Sequence, residues 1–67
     1  MAKFNERLKE LRLEKGFTQK EVAKATGFTQ PAIARWENGL QIPNIETAIT
    51  FAKFFEVTTD YLLGLED

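Results

Sequence analysis

Residues 18–39 read TQKEVAKATGFTQPAIARWENG, and the fold turns on how the middle of that stretch is read. Thr18 opens a helix with T-Q-K-E, a capping box in which the side chains of Thr18 and Glu21 satisfy each other's backbone N–H groups. Thr29 is a second N-cap and Gly39 a second stop, so residues 30–38 form a short helix of about two and a half turns. Only Gly27, Phe28 and Thr29 join the two helices, and a three-residue link containing glycine lets them meet at a steep angle. Ala23 is small where the later helix must approach, and Val22, Ile33 and Trp36 fill the inside of the corner. On a helical wheel Ile33 and Trp36 fall together, while Gln30, Pro31, Ala34 and Arg35 fall on the other side. That outer face is small, mixed and weakly charged, which makes it a poor solubilising surface.

Outward from the corner, caps and a period of about 3.6 residues divide the rest of the chain. Residues 4–15 form a first helix with Phe4, Leu8 and Leu11 on one stripe, and Gly16 supplies a left-handed stop. Leu40-Gln-Ile-Pro43 is a connector, because the residue before Pro43 is biased away from helix. Asn44 caps a fourth helix whose expected core is Ile45, Ala48, Ile49, Phe51, Ala52 and Phe55. A fifth starts after Thr58, carries Leu62 and Leu63 and stops at Gly64. No stretch has a period of two. The fold class is therefore all-α, a compact bundle of five short helices forming one domain over residues 1–67.

Composition excludes much chemistry. The chain has neither Cys nor His, so it lacks a thiolate zinc site, a Cys nucleophile, the commonest metal ligand and the commonest general base. No enzyme, metal or cofactor is expected, and no small-molecule ligand is evident. No apolar run approaches a membrane span, and Lys3, Glu6 and Arg7 stand near the start without a signal-peptide core, which points to the cytoplasm. The net charge of −1 conceals a dipole, since residues 1–36 carry +4 and residues 37–67 carry −5. A global acidic balance therefore does not exclude phosphate binding by the first half.

A small residue at 23, glycine at 27, a branched apolar residue at 33 and a large one at 36 make the helix-turn-helix pattern over about residues 19–38. A helical hairpin in an ordinary bundle can imitate it, so periodicity alone leaves a purely structural corner open. The wider chain closely resembles the phage-repressor-like (Cro/CI, XRE) helix-turn-helix family over about residues 4–65, through G-F-T-Q-K-E-V-A, R-W-E-N-G, P-N-I-E-T-A and T-T-D-Y-L-L-G. The resemblance implies a sequence-specific DNA-binding transcriptional regulator, expected to be a repressor, whose third helix lies in the major groove. Its base-reading positions fall on Gln30, Pro31, Ala34 and Arg35, with Ala32 at the fringe. Arg35 suits guanine O6 and N7, Gln30 suits adenine N6 and N7, and Pro31 and Ala34 offer apolar contact to a thymine methyl. Backbone contacts fall on Gln19, Thr29, Asn38 and Gly39. Lys9, Lys15 and Lys20 are weaker candidates, some of which only solubilise exposed faces. Arg12 and Glu37 match positions that pair across the core in relatives, which would keep Glu37 from repelling DNA; the alternative is two independent surface charges.

Three residues depart from the family's pattern. Pro31 sits in the first helical turn, where it loses no hydrogen bond but costs a donor in the groove. Glu56 stands where a helix-ending glycine is common, so a looser or different cap is expected. Thr26 replaces an aliphatic residue and should expose its hydroxyl or bond back to a carbonyl. The partner implied is double-stranded DNA with a pseudo-palindromic operator, bound as a homodimer, with the free protein monomeric or weakly dimeric. Ile42, Phe54, Tyr61 and Leu65 are apolar residues that the core stripes do not obviously need, which makes them dimer-contact candidates. An antitoxin-like or accessory protein-interaction module on the same fold is the competing reading.

Overall fold

The computed structural model describes residues 3–66. Five helices follow in chain order: α1 (Lys3–Glu14), α2 (Gln19–Thr26), α3 (Gln30–Glu37), α4 (Ile45–Phe55) and α5 (Thr59–Leu63), with no strand among the described residues. Short polar caps set four of the starts. The side chains of Thr18, Thr29, Asn44 and Thr58 accept from the backbone N–H of Glu21, Ala32, Thr47 and Tyr61, and Thr18 with Glu21 closes the full capping box.

Most of the stops share one geometry. After α1 the Phe17 N–H reaches the Arg12 carbonyl while Gly16 bonds to Leu13, and the same pair of bonds recurs at Gly39, Glu56 and Gly64. Each is a Schellman motif with its pivot residue in the left-handed region. At the corner Gly27 has φ 86° and donates to the Ala23 carbonyl. A Cβ there would meet nothing within 4 Å, so the backbone angle rather than crowding selects glycine. Gly64 is different, because a Cβ would fall 2.3 Å from Lys3 Cβ where α5 ends against α1.

Glu56 caps α4 with φ 59°, the single non-glycine residue with positive φ among those described. The stop is therefore as tight as at the glycines, and the strain is carried by the side chain. A left-handed non-glycine residue costs about 1–2 kcal/mol, against about 0.5–1 kcal/mol for glycine's extra chain entropy. Glu56→Gly is accordingly expected to stabilise the domain by roughly 0.5–1 kcal/mol, read as a rise of a few degrees in Tm.

Phe51 is the hub of the core. It is fully buried and its ring lies 5.2 Å from Phe28, 5.4 Å from Trp36, 6.3 Å from Phe4 and 6.5 Å from Phe55, centroid to centroid. Leu8 and Leu11 of α1, Val22 and Ala23 of α2, Ile33 of α3 and Leu62 of α5 complete the buried cluster. Phe17 and Phe28, which no helical stripe contains, pack on it from the loops. Trp36 pays a local penalty, since its indole N–H is buried without an acceptor among the described residues.

The expected core of α4 needs correction. Ile45 is 62% and Ile49 38% exposed, whereas Thr47 is buried. The buried set Ala48, Phe51, Ala52 and Phe55 is centred on one line of the helix, and Ile49 lies about 120° around from that line at about 100° per residue. Phe54 and Tyr61 also prove to be partly used within the chain. Phe54 is half-buried, 5.5 Å from Phe17 and 4.9 Å from Phe55, while the Arg7 guanidinium lies 4.2 Å over the half-buried Tyr61 ring. Thr26 donates its hydroxyl to the Val22 carbonyl at 2.7 Å, so a polar residue ends α2 without an unpaired group.

Candidate nucleic-acid interface

The corner between α2 and α3 decides which side chains of α3 face outward. Ile33, Trp36 and Glu37 are buried, Ala32 and Ala34 are half-buried, and Gln30, Pro31 and Arg35 are exposed together with Asn38 and Gly39 just beyond. Pro31 lies in the first turn and leaves the helix intact.

Glu37 is the only acidic residue between Glu21 and Glu46, and it is turned inward. Arg12 donates to it through Nε at 2.6 Å and Nη2 at 2.9 Å, and its Nη1 donates to the Phe17 carbonyl at 2.9 Å. The side chain of Glu37 is 2% exposed and that of Arg12 11%. The hydrogen bonds to Glu37 hold the Arg12 guanidinium above its ordinary range, although burial opposes this. It ties α1 to α3 with a planar, two-bond geometry.

The network continues to the surface. Gln19 Nε2 donates to Glu37 Oε1 at 3.1 Å, and Gln30 Nε2 approaches Gln19 Oε1 at 3.5 Å. Gln19 is half-buried, with one of its two amide hydrogens already committed to Glu37. Beside it an open depression is lined by Gly16, Thr18, Gln19, Lys20 and Gln30 at the α2 N-terminus. Gln30 and Gln19 therefore come together, while Arg35 stands apart, with Nε donating to Gln41 Oε1 at 2.9 Å. Lys9 and Lys15 are exposed on α1 and just after it.

A family model for the helix-turn-helix matches residues 8–62, which takes in the whole of α2, α3 and α4. The chain belongs to the helix-turn-helix family. The domain is 42% identical over 64 residues to the HTH-type transcriptional activator BcrR of Enterococcus faecalis, covering 96% of this chain and 31% of that protein. It is 34% identical over 61 residues to the HTH-type transcriptional regulator ImmR of Bacillus subtilis, covering 91% and 48%. The cryptic phage CTXphi transcriptional repressor RstR of Vibrio cholerae shares 35% over 54 residues, covering 81% and 49%. The chain thus spans about a third to a half of the length of these relatives.

Within the helix-turn-helix domain, Ile42 and Leu65 are 89% and 71% exposed, and Leu40 is exposed as well. No helix among the described residues is long and apolar enough to cross a membrane, and no group of three or more carboxylates there is placed to hold a metal. The sequence reading missed Gln41, an exposed connector residue with no periodicity to mark it. Only its return to the side of Arg35 reveals it.

Proposed function

We propose that the helix-turn-helix domain is a sequence-specific DNA-binding transcriptional regulator that reads the major groove with the outer face of α3. The observation that carries this is the fate of Glu37. With that carboxylate drawn into the core by Arg12 and Gln19, the outward face of α3 presents Gln30, Pro31, Arg35 and Asn38 and no acidic group. Such a face suits base edges and phosphates better than it suits water. Gln30 reads adenine and Arg35 guanine, with Pro31 and Ala34 against a thymine methyl. Gln19, Thr29, Asn38, Gly39, Lys9 and Lys20 contact the phosphate backbone. The excess of basic residues in the first half supplies salt-dependent attraction despite the overall charge of −1.

The operator is pseudo-palindromic and two copies bind it, with Ile42, Phe54, Tyr61 and Leu65 at the contact. Repression needs only that the bound dimer occupy a promoter. The relatives' names include both an activator and a repressor, so a promoter-reporter assay decides the sign. A regulator of this kind works where the DNA is, in the cytoplasm.

Selection of bound sequences from a random duplex pool tests the reading. Arg35→Ala should lower affinity for the selected site about 10- to 100-fold and erase one base preference, as loss of a bidentate pair requires. Gln19→Ala should weaken selected and random duplexes alike. Affinity should fall roughly a hundredfold or more between about 50 and 200 mM salt. An unchanged base profile for Arg35→Ala, or affinity indifferent to salt, overturns the assignment.

A further inference from the structure

The geometry points to Gln41 as the residue that makes Arg35 selective for guanine, a positioning role that rests on the reading of α3 proposed above. Gln41 lies six residues beyond Arg35, past the end of the helix, yet the chain brings it back. Gly39 turns with φ 73°, and the Leu40 N–H bonds to the Arg35 carbonyl at 2.9 Å, which folds the connector against the last turn of α3. The Gln41 side-chain oxygen then accepts from Arg35 Nε at 2.9 Å.

Which nitrogen is used matters. A guanidinium has two edges that can make a bidentate pair, one formed by Nε with a terminal nitrogen and one formed by the two terminal nitrogens. Gln41 occupies the first edge. The second, Nη1 with Nη2, has no hydrogen bond among the described residues. Two parallel donors at the tip of the side chain match guanine O6 and N7. An exposed arginine is otherwise free to swing onto a neighbouring phosphate, a contact without sequence information. Held at Nε, it loses less rotamer freedom when the base pair forms and competes less well for phosphate. Gln41 does this as a neutral acceptor. A carboxylate in its place would pair with Arg35 outright and set its charge against the DNA.

The test compares wild type, Gln41→Met, Arg35→Ala and the double variant. Methionine keeps the length and volume of glutamine and removes the acceptor. Base preference is read from selected pools, and affinity is measured on the best duplex, on one altered at the guanine, and on a random duplex. Gln41→Met should reduce discrimination at the guanine about fivefold, the scale of one hydrogen bond to a charged group partly exposed to water. Thermal stability and random-duplex affinity should not change. In the Arg35→Ala background the same substitution should have no further effect, since Gln41 acts only through Arg35.

An unchanged profile for Gln41→Met overturns the inference. So does an equal loss on every duplex that persists in the Arg35→Ala background, which makes Gln41 a phosphate contact in its own right. A wild-type profile with no guanine that Arg35→Ala erases overturns the reading of α3 itself and the inference with it. The wild-type and Arg35→Ala profiles distinguish that failure before any Gln41 variant is compared.

Discussion

Phe51→Ala is expected to cost about 3–5 kcal/mol and to leave the domain largely unfolded at 37 °C. Domains hold roughly 0.05–0.15 kcal/mol per residue, so a chain of 67 residues has only about 3–10 kcal/mol to lose. The large value follows from what surrounds the ring. Phe51 is fully buried and is shared between Phe4 of α1, Phe28 of the corner, Trp36 of α3 and Phe55 of α4. Its removal opens a cavity that touches three helices and the turn, and none of them can close it without leaving another neighbour. DNA binding should fall with folding, because Trp36 and Phe28 set the position of α3. Urea denaturation followed by circular dichroism reads the effect. A loss below about 1 kcal/mol would mean that the core closes around the gap.

The second large effect is electrostatic. Arg12→Met should destabilise the domain by about 3–5 kcal/mol, because Glu37 would remain as a buried charge with Gln19 as its one side-chain donor. Glu37→Gln should cost less. Arg12 is the more exposed partner and keeps the Phe17 carbonyl as an acceptor. Replacing both, as Arg12→Met with Glu37→Leu, should recover most of the loss, since two apolar groups of similar size need no solvation. Chemical denaturation of the three variants forms the cycle. Equal stability of Arg12→Met and wild type would show that the pair is energetically idle. The recovered double variant has a further use. It no longer anchors Gln19, so any drop in its DNA affinity measures what that anchoring contributes to the interface.

Much of this molecule is legible one turn at a time. The capping box at Thr18, the caps at Thr29, Asn44 and Thr58, and the stops at Gly16, Gly27, Gly39 and Gly64 stand where the residues alone place them. So does the small–glycine–branched–large spacing of Ala23, Gly27, Ile33 and Trp36, all but the glycine buried. Each cap and stop depends on groups within about five residues of one another, which is the reach of a cap or a turn. The outward face of α3 is equally readable, since its two bulky apolar residues, Ile33 and Trp36, fall together and mark the core side. At Glu56 local rules faltered, because packing of α5 against α1 and α4 holds the chain in a turn that glutamate would not choose alone.

What the amino-acid sequence determined by itself, then, is five helices, all their ends but that of α4, and which face of α3 is free. Which apolar residues of α4 enter the core was decided elsewhere. Ile45 and Ile49 are as hydrophobic as Phe51, yet they sit off the line where α4 meets the other helices. The same holds for the polar groups that shape the interface. Arg12 and Glu37 are 25 residues apart, Gln19 and Glu37 are 18, and Arg35 meets Gln41 only because Gly39 turns the chain back. Local hydrogen bonds decide where a helix starts and stops; burial and charge pairing are decided by neighbours distant in sequence, and those neighbours exist only once the helices have packed.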